Sequence, residues 1–122
     1  MLNINVYTNM IVELIKSDLK RTGIPRRSQL NLIGYSGGGQ VALNVMTKMK
    51  NKFNNFVLIG TPVMKLWKSK TKVSMLYGGK DLLSWNIGWG YKAYFAGWIG
   101  HTEYFNTKNI KNTAKIVDSI IN

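Results

Sequence analysis

The hydrophobic pattern opens with a helix. From residue 5 to about residue 21, apolar side chains at Tyr7, Ile11, Leu14, Ile15 and Leu19 recur at the spacing of one helical face. The run "TGIP" ends it, because Gly23 suits the C-terminal cap and Pro25 cannot continue a helix. "QLNLIG" then predicts a short buried strand, and "GQVALNVMTKMK" a helix with Val41, Val45 and Met49 on one stripe. "NNFVLIGTPV" predicts a second buried strand closed by Pro62, and "TKVSMLYGG" a third that runs into a loop around Asp81. Between them, residues 61 to 72 are a short connection in which Trp67 is expected to pack on the sheet. "YKAYFAGWIG" reads either as a fourth strand or as an aromatic loop, and residues 106 to 121 as a closing helix on Ile110, Ala114, Val117 and Ile121.

Helices that alternate with near-continuous apolar strands imply parallel strands with helices on the sheet faces. The expected fold class is therefore α/β, in three layers, with a mainly parallel sheet of three to four strands. No repeat, linker or break in composition marks a second domain, so residues 1–122 read as one.

Composition changes this picture little, except in charge. With 45% hydrophobic and 18% charged residues, the chain has the balance of a folded globule. The lack of cysteine removes disulfides and thiolate metal sites. Seventeen Lys and Arg against five Asp and Glu give a net charge of +12. That charge is spread along the chain and reads first as a solvated surface. It would also suit an anionic membrane surface or an acidic partner. Nucleic acid is not expected, since no nucleic-acid motif accompanies the charge. "MLNINVYTNM" has no basic region leading an apolar run, and "WNIGWGYKAYFAGWIG" is too short to span a bilayer, so a cytoplasmic location is the expectation.

The candidate chemistry lies in "NLIGYSGGGQVALNVM". Gly34-Tyr35-Ser36-Gly37-Gly38 matches G-x-S-x-G after a predicted strand and at the opening of a helix, the place of a nucleophile elbow. Such a turn strains the serine backbone so that its hydroxyl stands above the sheet, and its neighbours are expected to need to lack a Cβ. It would aim the Gly37 N–H at a developing oxyanion beside a helix N-terminus. Phosphate binding and a purely structural turn compete with this reading. "GYSGGGQ" has neither the Gly-Lys-Ser/Thr ending of a P-loop nor the G-x-G-x-x-G spacing.

The residues downstream of the serine decide between them. A serine nucleophile needs a base, and the base needs a carboxylate to fix its tautomer. His101 is the one histidine, and it comes after an apolar run in "WIGHTEYF". Asp81, just past a predicted strand, is one of five acids and lies between Ser36 and His101 in sequence. Glu103 is the alternative acid, but two residues from His101 it would need an unusual local geometry; Asp118 falls inside the closing helix and is expected to be solvated. In a parallel sheet all strand C-termini share one side, so Ser36, Asp81 and His101 could converge there.

These motifs resemble the C-terminal half of an α/β-hydrolase of the lipase and esterase branch. The elbow "GYSGGG", the strand "FVLIGTPV", the acid turn "YGGKD" and the "GH" before the last helix carry the resemblance, which runs over nearly the whole chain. It implies a partial α/β-hydrolase fold, with Ser36 as nucleophile, His101 as general base and acid, Asp81 as its orienting carboxylate and Gly37 as an oxyanion donor. The implied activity is acyl transfer from a small-molecule or lipid ester, without a cofactor. Tyr35, Trp85 and Trp89 are expected to contact substrate; the two tryptophans belong with Tyr91, Tyr94, Phe95 and Trp98 to an aromatic group between acid and base that reads also as core and strand packing.

The chain departs from the family in lacking several N-terminal strands and the loop that supplies a second oxyanion N–H. Loss of one such donor costs about 100- to 1000-fold in rate. The strand over residues 29–34 would also become an apolar sheet edge, which invites a homo-oligomer or partner chain. The domain therefore reads as incomplete, and the alternative to an enzyme is an inactive hydrolase-like module acting in binding or assembly.

Overall fold

A computed structural model describes residues 4–25, 27–49, 52–62, 72–84 and 92–122. The described elements run α1 (Ile4–Arg21), β1 (Leu30–Tyr35), α2 (Gly38–Lys48), β2 (Phe53–Ile59), β3 (Lys72–Tyr77), β4 (Lys92–Phe95) and α3 (Ile110–Ile121), with a short 3-10 turn at Leu82–Ser84. The strands form one sheet in the order β1-β2-β3-β4, and every neighbouring pair is parallel. This is the α/β architecture expected, and "YKAYFAGWIG" supplies both a fourth strand and the loop after it.

Alternate residues of the central strands feed two cores, one on each sheet face. Phe56, Leu58, Val73 and Met75 pack with Val12 of α1 and with Ala42, Leu43, Val45 and Met46 of α2. Val57, Ile59 and Leu76 point the other way and pack with Tyr104, Ile99 and the α3 residues Ile116, Val117, Ile120 and Ile121. Two helices on one face and one on the other make the three layers. Because β2 is covered on both sides, its sequence FVLI is apolar without alternation.

Helix α1 ends as its glycine requires. Gly23 takes φ +70°, its N–H donates to the Lys20 carbonyl, and Ile24 N–H donates to the Leu19 carbonyl, which together close a Schellman cap. The face that α1 buries is not the expected one. Thr8, Val12, Ile15 and Leu19 turn inward, whereas Tyr7, Ile11 and Leu14 are exposed along with Val6 and Met10. Apolar residues occupy most of the helix circumference, so spacing alone selects no single stripe. The closing helix is likewise rotated: Ile110 and Ala114 are exposed, and Thr113, Ile116, Val117, Ile120 and Ile121 face the sheet. It also begins later than expected, since residues 106–109 are turns.

Among the described residues β1 has a strand on one side only, so it forms a sheet edge. None of these helices is long and apolar enough to cross a membrane. Trp67, Trp85, Trp89 and Tyr91 lie outside the described residues.

Candidate active site

The turn between β1 and α2 places Ser36. Its φ of 53° makes it the non-glycine residue in the left-handed region among those described. For a side chain with a Cβ that conformation costs on the order of 1–3 kcal/mol, held by the surrounding packing. Ser36 N–H donates to the Ile59 carbonyl at 2.9 Å, which fastens the turn to the end of β2. The steric need for glycine falls at two positions. A Cβ on Gly34 would lie 2.7 Å from Gly39 Cα, and one on Gly39 would lie 2.2 Å from Thr61 Oγ1. Gly37 and Gly38 would meet nothing within 4 Å. The motif therefore marks Gly34 correctly but is one residue early on the helix side, where close packing of α2 on the segment after β2 excludes a side chain.

Ser36 Oγ lies 2.7 Å from His101 Nε2, and His101 Nδ1 lies 3.1 Å from each oxygen of Asp81. Ser36 comes directly after β1, Asp81 after β3 and His101 after β4, so three C-terminal strand ends of one parallel sheet bring them together. An ionised Asp81 accepts from Nδ1–H. The network therefore assigns the proton to Nδ1 and leaves Nε2 to accept the Ser36 O–H. Asp81 is fully buried and the His101 side chain is 25% exposed, so this run of contacts is dry at the carboxylate and partly open at the imidazole.

Burial pushes the Asp81 carboxyl upward, but hydrogen bonds from Tyr104 and His101, the charge of His101 and a hydrogen bond from Ser84 outweigh it. The group is held below its ordinary value of 3.8. Tyr104 Oη donates to Asp81 Oδ2 at 2.6 Å, and Leu83 N–H donates to Oδ1 at 3.2 Å. Burial and the carboxylate it donates to drive the Tyr104 phenol far above its ordinary value of 10.0. Glu103 does not reach His101 as an acid; its Oε1 accepts from Gly100 N–H at 2.7 Å and closes the loop that carries the histidine. Asp118 is exposed.

Tyr35 is turned toward His101. Its hydroxyl donates to the His101 carbonyl at 2.7 Å, and its ring stacks on the imidazole at 5.5 Å and 22°. Gly37 caps α2 with φ −60°, and its N–H has no hydrogen-bond partner among the described residues. Phe95 and Trp98 are exposed and in edge contact, while Tyr94 is half-buried. Tyr104 is the residue that sequence reasoning missed. One tyrosine among six, it carries no motif, and only the path of the loop after His101 brings it to Asp81.

No family model matches the sequence, and the comparison with curated proteins finds no relative. Solved structures do match. A predicted CIB-like hydrolase from Thermoplasma acidophilum superposes with a TM-score of 0.67 at 15% identity, over 94% of this chain and 60% of that one. MGS-MChE2, an α/β hydrolase from a sediment metagenome of the lagoon of Mar Chica, Morocco, gives 0.67 at 14% identity, over 92% and 68% of the two chains. The NocB thioesterase domain, in covalent complex with a fluorophosphonate nocardicin G analog, gives 0.66 at 14% identity over 99% and 75%. The chain thus has an α/β-hydrolase fold and spans 60% of the length of the first of these neighbours.

Proposed function

We propose that the chain is a serine hydrolase acting on carboxylic esters through an acyl-enzyme on Ser36. The observation that supports it is the run of contacts from Ser36 Oγ to His101 Nε2 at 2.7 Å and from Nδ1 to the buried Asp81 at 3.1 Å. In this mechanism Ser36 Oγ attacks the ester carbonyl while its proton passes to Nε2. Asp81 stabilises the imidazolium that forms, and Nε2 returns the proton to the departing alcohol. Water then repeats the sequence on the acyl-serine. The Gly37 N–H, beside the N-terminus of α2, is the proposed oxyanion donor. The substrate in this reading is a small-molecule or lipid ester, and the mechanism calls for no cofactor.

A fluorophosphonate probe tests this, since it forms a covalent bond with an activated serine. One adduct by intact mass is expected, with none after Ser36→Ala. Folded protein that takes no label, or labels equally after the substitution, removes the reading.

A second reading, an inactive module for assembly, rests on β1, which among the described residues has a strand on one side only. That strand, LNLIGY, carries no charge or proline to guard its edge, and Ile33 is 48% exposed. Helix α1 packs against α2 on the same sheet face. In this reading a partner strand, or a second copy, pairs along that edge. Light scattering that finds oligomers without probe labelling favours this module; a labelled monomer excludes it. An anionic membrane surface rests on the +12 charge and would release with salt.

A further inference from the structure

Beside Ser84 Oγ, which donates to its backbone carbonyl at 3.0 Å, Asp81 has three donors set around its carboxylate, and their geometry divides the labour. Leu83 N–H holds Oδ1 at 3.2 Å, Tyr104 Oη holds Oδ2 at 2.6 Å, and His101 Nδ1 sits equidistant from both oxygens at 3.1 Å. The direction of the tyrosine proton is fixed by elimination. Gly78 N–H donates to Tyr104 Oη at 2.8 Å, and a backbone N–H can only donate. The phenol oxygen must accept that bond and send its own hydrogen to Asp81.

The tyrosine is itself immobilised. It is fully buried, its backbone carbonyl accepts from Thr113 Oγ1 of α3 at 2.6 Å, and its ring stands edge-on to Tyr35. The neighbouring backbone closes around the pair. Gly60 takes φ +55°, and a Cβ there would lie 2.8 Å from Asp81 Oδ2 and from Tyr104 Cε2.

We propose that Tyr104 is a positioning residue, whose hydroxyl locks the Asp81 carboxylate square to Nδ1 of His101 and thereby holds the imidazole in the orientation that reaches Ser36. This rests on the serine-hydrolase reading for its consequence in rate, but the hydrogen-bond frame is measurable without catalysis. One oxygen anchored from the turn after β3 and the other from the loop after His101 leave the carboxylate no rotation about its own axis. Loss of the phenol hydroxyl frees that rotation, leaves Gly78 N–H without its acceptor and leaves Oδ2 to His101 Nδ1 alone in a dry site.

The presence of one histidine makes the experiment clean. In protein labelled with 15N-histidine, a downfield Nδ1–H resonance is expected in the native chain and in Ser36→Ala. In Tyr104→Phe that resonance should move upfield and exchange faster with water, and the fluorophosphonate labelling rate should fall roughly tenfold to a hundredfold. Circular dichroism reports whether Tyr104→Phe folds. If it does not, 13Cζ-tyrosine spectra of Asp81→Asn test the same bond from its other end, and a displaced Tyr104 signal is expected. An unchanged Nδ1–H resonance in folded Tyr104→Phe, or an unmoved Tyr104 signal in Asp81→Asn, overturns the proposal. Native protein that shows the resonance and its loss in Tyr104→Phe, but never labels, keeps the positioning role and removes the hydrolase reading.

Discussion

Gly38 and Gly39, adjacent in sequence, should respond oppositely to the same substitution. Both lie in the first turn of α2, where alanine is worth up to about 1 kcal/mol more than glycine through helix propensity. At Gly38 nothing opposes that gain, because a Cβ meets open space. At Gly39 the new methyl would fall 2.2 Å from Thr61 Oγ1, 2.5 Å from its Cγ2 and 2.8 Å from its Cβ. Thr61 is fully buried, so it has nowhere to retreat. Overpacking of this kind costs about 1–3 kcal/mol, and the propensity gain offsets only part of it. Gly38→Ala should therefore be stabilised, Gly39→Ala destabilised, and the two should differ by about 2 kcal/mol. For a chain of this size that separates their thermal midpoints by roughly 6–10 °C in circular-dichroism melts. Thr61→Ala removes two of the three clashing atoms, so it should recover part of the loss in Gly39→Ala while leaving Gly38→Ala unaffected. A Gly39→Ala variant as stable as Gly38→Ala would refute the packing account of the elbow and return the constraint to the residue that the motif names.

Truncation on the two helices tests which faces are buried. Val45→Ala, at a site with no solvent exposure, should cost about 2 kcal/mol in urea unfolding, while Leu14→Ala, 57% exposed, should stay within about 0.5 kcal/mol; equal losses would mean that the α1 stripe is covered in solution. Acid should unfold the protein partly through Asp81. Its carboxyl is lowered on folding, so its contribution is complete above the ordinary 3.8 and disappears as pH falls through the lower folded value. Asp81→Asn should accordingly be less stable at pH 5 and show a flatter loss of stability between pH 4 and pH 2 in urea midpoints; a parallel acid limb in both proteins would contradict it.

The strands were legible because burial on both faces leaves a direct trace: Phe56 to Ile59 is an unbroken apolar run, half of which serves each core. Helix existence was legible too, but helix phase was not. Around α1 the residues Val6, Tyr7, Met10, Ile11, Val12, Leu14, Ile15 and Leu19 spread over most of the circumference, and the fully buried Thr8 puts a polar side chain on the inward face. A periodicity of 3.6 fixes the stripe only when the opposite face is polar. On α3 the buried Thr113 again breaks the pattern, because its hydroxyl is used by the Tyr104 carbonyl rather than by water.

The candidate site was legible through scarcity more than through its motif. With one histidine and five acids, few chains of proton transfer can be drawn, and strand ends on a parallel sheet select among them. Tyrosine offers no such scarcity: Tyr35 and Tyr104 are two of six. A phenol can pack through its ring, donate through its hydroxyl or do both, and the choice depends on contacts 23 residues apart for Tyr104 with Asp81 and 66 apart for Tyr35 with the His101 carbonyl. These two tyrosines do both at once, edge to face between the serine turn and the histidine loop. The groups that would exchange protons could thus be named from residue type, whereas the groups that hold them still could be found only from the path of the backbone.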